Sequence, residues 1–159
     1  AIMKKDRKFT VGVIIVIVVA IGMFIWNRVT DPSRAVAKPW NDMGIECLVS
    51  GHQRLAQHIH PDVKMFVDGF EQGISANIAI IPGCMAEVHT HDDTGTIHLE
   101  SASSSKKFYL KDFFAVWGEN LEKPGFTLEM SVDGQPSDAL GELILKDQHQ
   151  IVLNYTSSQ

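Results

Sequence analysis

The hydrophobic pattern of the chain begins with one long uncharged run. Residues Phe9 to Trp26 read FTVGVIIVIVVAIGMFIW, in which Thr10 is the polar exception. As an α-helix this run would be about 27 Å long, close to the thickness of a bilayer's hydrocarbon core. Basic residues at positions 4, 5, 7 and 8 come immediately before it. The pattern therefore predicts a single-pass cell-membrane anchor over 9–27, embedded in the lipid bilayer, with a cytoplasmic tail over 1–8 and an extracytoplasmic C-terminal part.

A cleaved signal peptide is the alternative interpretation of the same run. Ala35-Val36-Ala37 resembles a cleavage site, but it lies far beyond the apolar run, and the run is longer than a usual signal core. Residues 28–44 contain Pro32 and Pro39 and little periodic pattern. We expect 28–44 to form a stalk between the anchor and an extracytoplasmic domain over 45–159.

From residue 58 onward the apolar positions alternate with the period of two that is typical of strands. Residues 63–67 alternate up to a turn at Asp68-Gly69, and isoleucines at 74, 78 and 80 predict a return strand over 74–80. A hairpin is predicted around residues 88–100. Further strands are predicted over 126–132 and 150–155.

The helical pattern of the domain is concentrated in Leu110–Trp117. Apolar side chains at i, i+3, i+4 and i+7 (Leu110, Phe113, Phe114 and Trp117) give one apolar face, and Gly118 follows where a left-handed C-terminal cap is wanted. We expect these aromatic side chains to pack in the core rather than to bind a ligand. Two hairpins, one packed helix and two more strands predict an α+β, β-rich domain of the β-grasp type.

Charge is unevenly distributed along the chain. The first 27 residues contain four of the 14 Lys and Arg and one of the 19 Asp and Glu, which leaves ten basic and eighteen acidic residues, a net charge of −8. An acidic exterior argues against binding nucleic acid and against docking on an anionic membrane surface. Cations are the natural partners of such a domain.

Two cysteines, Cys47 and Cys84, fall on the extracytoplasmic side of the predicted anchor. In an oxidising compartment the favoured outcome is one disulfide that ties the start of the domain to the segment before the hairpin. The alternative is a thiolate metal ligand, since Cys84 is five residues from His89.

The hairpin segment 88–100, VHTHDDTGTIHLE, carries the clearest candidate chemistry. A turn at Asp93-Thr94 or a loop over 92–95 pairs His89 with His98, and directly opposed residues share a face. Slipping the register by one residue would exchange His98 with Ile97 across the sheet. The pattern therefore favours the register that gathers on one face the candidate ligands His89, His91, His98 and Glu100, together with Glu87.

His58 and His60, two residues apart, lie just before the first predicted strand and could approach the hairpin from a neighbouring strand. Imidazoles with a nearby carboxylate fit a zinc or copper ion, because both accept nitrogen and oxygen donors. Asp92 and Asp93 are either acceptors for imidazole N–H groups or simple turn residues. The alternatives are a proton-relay network or ordinary polar side chains on a solvent-facing hairpin. His52 and His149 are expected to be isolated surface residues.

Several segments together resemble a group of prokaryotic membrane-anchored exterior proteins familiar from ammonia-oxidising archaea. The segments are His58-Ile59-His60, VKMFVDG from Val63, Cys84-Met85, HTHDDTGTIHLES from His89, KDFFAVWG from Lys111 and LKDQHQIVLNY from Leu145. The resemblance covers about residues 58–155, and its HTHD-x-(S/T)-G-x-IH-x-E motif is specific. It implies an anchor, a single domain and signature positions at His58, His60, His89, His91, His98 and Glu100, but it implies no reaction.

Three functions are compatible with these patterns. The favoured one is a membrane-anchored extracytoplasmic module that binds copper or zinc for handling or delivery. The second is an accessory subunit of a larger membrane complex, in which other membrane subunits contact the anchor and the histidines are structural. The third is a metal-dependent hydrolase with Glu100 as general base, and an enzyme is the less favoured interpretation.

Overall fold

The computed structural model describes residues 17, 18, 20, 21, 40–48 and 55–158. Among these residues, no helix has both the length and the apolar character needed to cross a bilayer. Most of the predicted anchor over 9–27, the whole predicted cytoplasmic tail over 1–8 and residues 28–39 of the predicted stalk lie outside the described residues. Residues 17, 18, 20 and 21 are helical, and their side chains are exposed.

The described domain is α+β and rich in strands, as the sequence predicted. Its strands are β1 (Gln57–Ile59), β2 (Asp62–Val67), β3 (Phe70–Gln72), β4 (Ile80–Ile81), β5 (Cys84–Met85), β6 (Val88–His89), β7 (His98–Ser101), β8 (Phe126–Val132), β9 (Gln135–Pro136) and β10 (Gln150–Ser157). Helix α1 spans Leu110–Trp117, and a 3-10 turn spans Leu140–Glu142. The predicted helix and the two C-terminal strands are confirmed.

The largest sheet has five strands in the order β3-β2-β10-β8-β9. Its central pair, β2 and β10, is parallel, while the other pairs are antiparallel. Alternating apolar side chains of the central pair point into the core, so that Val63 opposite Ile151 and Met65 opposite Leu153 are buried. Burial of each such side chain contributes roughly 2 kcal/mol to folding. The parallel pairing joins the start of the domain to its end.

Helix α1 buries Leu110, Phe113, Phe114 and Val116 against the same core. Trp117 is only half-buried, and it packs against this core. Gly118 ends the helix in the left-handed conformation, at φ 80°, as its position predicted. At the other end, the Asp112 carboxylate accepts the backbone N–H of Tyr109 at 2.8 Å.

The predicted return strand over 74–80 is wrong. β3 ends at Gln72, and Asn77 and Ala79 have left-handed φ values of 59° and 58°, which no strand allows. The Thr90 hydroxyl instead holds this segment, since it donates to Ser75 O at 2.8 Å and accepts from Ile78 N at 3.1 Å. Isoleucines at 74 and 78 are buried all the same. Their spacing reflects burial of a turn-rich segment rather than a strand.

The N-terminal segment 40–48 is packed onto the domain. Trp40, which falls within the predicted stalk over 28–44, is only 8 % exposed and belongs to the core. A disulfide joins Cys47 to Cys84, with Cα atoms 5.2 Å apart, and Cys47 also forms a β-bridge with Ala86. The core therefore includes the end of the predicted stalk.

Candidate metal centre

A second sheet, with strand order β1-β7-β6, carries the candidate site. His89 lies opposite His98 and Val88 opposite Leu99, which is the hairpin register that the apolar pattern favoured. Val88 and Leu99 are fully buried in the core. The other face of the same strands is therefore the one that carries the imidazoles.

Strand β1 brings the second group of candidates to this face. It pairs with β7 so that His58 lies opposite Glu100, and opposed residues share a face of the sheet. His60 and His91 lie two residues beyond His58 and His89, respectively. Their ring centroids are 4.6 Å and 4.5 Å from the ring centroid of His98. All six predicted ligands thus converge, and together they form the histidine face (His58, His60, His89, His91, His98 and Glu100).

The donor atoms of the histidine face fall into two sets that share His98. The hairpin set is His89, His91, His98 and Glu100, and the β1 set is His58, His60 and His98. Within each set the donor atoms all lie within 4.8 Å of one another. Because two ligands on opposite sides of one ion are about 4.2 Å apart, each set could hold a metal ion after small movements.

Close approaches within the sets have the lengths expected between neighbouring ligands. His89 Nε2 is 3.1 Å from His91 Nε2, and His58 Nε2 is 2.9 Å from His60 Nε2. Between the two sets, His58 Nε2 is 3.0 Å from the Glu100 carboxylate. Two ligands at right angles on an ion with ~2.1 Å bonds are about 3 Å apart. The spacing therefore suits either direct hydrogen bonds or a shared cation.

A contact with the backbone fixes the orientation of the His89 ring. Its Nδ1 is 2.8 Å from the backbone oxygen of Ala86, and a carbonyl oxygen can only accept, so Nδ1 carries the proton. The Nε2 lone pair then faces the other ligands. Metal-binding histidines are commonly oriented by such a carbonyl group. Sequence patterns gave no sign of this contact, because a backbone carbonyl has no residue signature.

Burial differs across the histidine face. His89 and Glu100 are fully buried, whereas His58 and His91 are exposed. The expectation of a hairpin that is simply solvent-facing is therefore wrong for its inner half. An ion held here would have buried ligands on one side and a route to solvent on the other.

His98, the ligand common to both sets, is kept neutral. Burial lowers the pKa of His98 to about 4, and the nearby imidazoles of His91, His60 and His58 contribute to the same shift. At pH 7 the ring therefore has a lone pair to offer. Its Nδ1 is buried and finds no hydrogen-bond partner in the described part of the chain. His149 Nδ1, outside the histidine face, is also buried without such a partner, so what distinguishes His98 is its position among the other imidazoles.

Several other acidic residues have structural roles. Glu87, which the sequence grouped with the histidines, binds the Lys106 ammonium group and accepts Glu46 N at 2.8 Å. Asp92 accepts the N–H of Thr94 at 3.0 Å in the hairpin loop, and hydrogen bonds from Thr94 lower the pKa of its carboxyl group. This supports the turn role of Asp92 over that of an acceptor for imidazole.

Two of the remaining candidates, His149 and Cys84, do not belong to the histidine face. His149 belongs to neither set, as expected, and His52 is outside the described residues. Cys84 is in the disulfide with Cys47 and therefore offers no thiolate. The alternative of a sulfur ligand does not apply to this structure.

Similarity to known proteins adds nothing to this geometry, because no protein-family model, curated protein or solved structure matches the chain.

Proposed function

We propose that this protein is a membrane-anchored, extracytoplasmic metal-binding module that handles or delivers copper or zinc ions. The observation that carries the proposal is the hairpin set, in which three imidazoles and one carboxylate have donor atoms within 4.8 Å of one another. Four nitrogen and oxygen donors match the number and kind of ligands that Zn²⁺ and Cu²⁺ take in proteins.

The donor chemistry favours Zn²⁺ and Cu²⁺ over Cu⁺. Cu⁺ prefers thiolate and thioether ligands, and both cysteines of the chain are joined in a disulfide. Each set of the histidine face consists of imidazoles, with one carboxylate in the hairpin set. We therefore expect divalent rather than monovalent ions.

The burial gradient supports handling or delivery. His89 and Glu100 are buried, while His58 and His91 are exposed at the same site. An ion could therefore exchange its outer ligands with a partner while the inner ligands still hold it.

Three observations support the location that we propose. A disulfide is typical of oxidising compartments outside the cytoplasm. Residues Ile17, Val18 and Ile21 are helical and between 51 % and 62 % exposed, as side chains that contact lipid would be. The resemblance to membrane-anchored archaeal proteins in the HTHD and IHLE segments agrees with the same location.

We also assign the domain to the β-grasp class. The five strands of the large sheet are, in chain order, β2, β3, β8, β9 and β10. Counted in that way, they lie side by side in the order 2-1-5-3-4, and the first and fifth are parallel. Helix α1 comes between the second and the third of these strands in the chain. In this assignment, the three-stranded sheet that carries the histidine face is an addition to the five-stranded sheet and helix of the β-grasp fold.

The test is a metal-loading experiment on the full chain in mild detergent, purified without a histidine tag. After treatment with chelator and reloading with Zn²⁺ or Cu²⁺, elemental analysis should find at least one ion per chain. At a free concentration 100 times Kd, the ion should stabilise the fold by about 2.7 kcal/mol and raise Tm.

Two variants make this test specific. His89→Ala should weaken metal binding by about 100-fold or more, since loss of a supporting group alone weakens it 10- to 100-fold. His149→Ala is the matched control and should load like the original chain. Failure to retain an ion, together with an unchanged Tm, would overturn the proposal.

A second candidate is an accessory subunit of a larger membrane complex. The exposed apolar side chains of Ile17, Val18 and Ile21 favour it, because a partner helix could cover them as well as lipid could. In that case, extraction from native membranes in mild detergent should yield the chain in a defined larger assembly. Recovery only as a monomer would count against this candidate.

A further inference from the structure

We propose that the histidine face binds two metal ions at once, with His98 as the shared ligand that gives one ring nitrogen to each ion. This inference depends on the proposed function, because it specifies how many ions the same face holds. It differs from that function in predicting a coupled pair of ions rather than a single centre.

The first argument is the separation of the donor atoms. By donor distance the six side chains divide into the hairpin set and the β1 set, which share His98 and meet again where His58 Nε2 is 3.0 Å from the Glu100 carboxylate. A single ion gathers donors that are no further apart than twice the metal–ligand distance, about 4.2 Å. One ion therefore cannot use all six groups without a large rearrangement, whereas two ions can use them after small movements within each set.

The second argument is the position of His98 between the two sets. Its ring meets that of His60 edge-on, with centroids 4.6 Å apart and planes at 83°. It meets that of His91 in the same way, at 4.5 Å and 77°. His98 is thus flanked by one imidazole of each set at nearly equal distance, on strand β7 in the middle of the three-stranded sheet.

The third argument is the chemistry of the His98 ring. An imidazole has two ring nitrogens, and its Nδ1 is buried here without a hydrogen-bond partner among the described residues. When one ion binds each nitrogen, the ring's single N–H proton is released to solvent and the imidazolate bridges the ions. With metal–nitrogen bonds of about 2.0–2.1 Å, the two ions would be roughly 6 Å apart.

The two ions would have different surroundings. The hairpin set offers four protein donors, which complete a tetrahedral centre. The β1 set offers three, so its ion keeps a position for water or for a ligand of a partner molecule. Because His58 is exposed, the β1 ion is also the one that solvent reaches more easily. We expect this ion to bind more weakly and to exchange first.

Copper loading of the full chain in mild detergent tests the inference, again without a histidine tag. Elemental analysis should give two Cu²⁺ per chain. An imidazolate bridge couples the two unpaired electrons antiferromagnetically, so electron paramagnetic resonance at liquid-helium temperature should show most of the signal intensity missing. His60→Ala should lower the stoichiometry to one ion and restore the full intensity for that ion.

Further variants separate the bridge from simple binding. His98→Ala should abolish the coupling even where copper is still bound, and His149→Ala should leave two coupled ions. Circular dichroism of each metal-free variant checks that the fold is intact, and His60 is outside the core, so its variant is expected to fold. One ion per chain with full signal intensity would overturn the inference and leave the proposed function standing. Two uncoupled ions would equally overturn it, whereas no bound ion at all would overturn both.

Discussion

At the scale of single residues, Gly95 shows how closely the hairpin loop is fitted to the rest of the domain. Its φ of 88° is in the left-handed region, and a Cβ atom there would collide with the backbone oxygen of Val63 in strand β2. The carbonyl oxygen of Gly95 in turn accepts the N–H of Val63 at 2.9 Å. Glycine is therefore required twice, for its conformation and for the close approach. This contact joins the hairpin that carries the histidines to the large sheet.

Gly95→Ala should accordingly destabilise the domain more than an alanine at an equally left-handed but open position. Gly134, with φ 77°, provides the matched control, because a Cβ atom added there would meet nothing within 4 Å. Gly134→Ala should cost about 1–2 kcal/mol for its conformation. Gly95→Ala should cost about 1–3 kcal/mol more because of the collision. Urea denaturation of the metal-free proteins measures both, and equal losses would contradict the account.

At the scale of elements, the sequence predicted those parts whose pattern is local. Helix α1 and the His89–His98 register follow from apolar spacing within about a dozen residues. The pairing of β1 with β7 joins residues more than 40 positions apart at its centre, and β1 is only three residues long, so no local pattern could reveal it. For this reason the sequence named His58 and His60 as candidates but could not fix their position. The prediction of a return strand over 74–80 was wrong because buried side chains in a turn-rich segment have the same alternating spacing as those of a strand.

Strand β10 offers a test that depends on pH. Tyr155, in the centre of the large sheet, donates its hydroxyl proton to Leu121 O at 2.8 Å, and burial raises its pKa to about 12. The unfolded chain loses this proton near pH 10. The stability that Tyr155 contributes is therefore complete below about pH 10 and lost as the pH rises towards 12.

Tyr155→Phe should reduce the free energy of unfolding by about 1 kcal/mol at pH 7, through loss of the hydrogen bond. The difference from the original chain should shrink as the pH rises from about 10 to 12. Tyr109→Phe, at a half-buried tyrosine on the edge of α1, is the control. This variant should still lose stability as the pH rises from about 10 to 12. A difference between Tyr155→Phe and the original chain that stays constant with pH would contradict the assigned role.

At the scale of the whole molecule, a disulfide and a β-bridge help to hold the histidine face in position. The disulfide between Cys47 and Cys84 fastens residues 40–48 beside the hairpin, and Cys47 forms a β-bridge with Ala86, whose carbonyl group orients His89. A disulfide that closes a loop of this length stabilises the fold by about 3–4 kcal/mol in the chain-entropy model. The acidic balance of residues 28–159 then suits the domain to cations. The disulfide, the oriented imidazole of His89 and the negative charge of the domain all favour a bound ion.

The most direct test of the central claim is X-ray absorption spectroscopy of the zinc-loaded full chain. The metal-edge fine structure should show a shell of nitrogen and oxygen atoms at about 2.0–2.1 Å. It should also show the outer-shell scattering of about three imidazole rings per ion, because each set contains three histidines. His89→Ala should remove one imidazole from this pattern, while His149→Ala should not. A shell made only of oxygen atoms, with no imidazole scattering, would contradict the account.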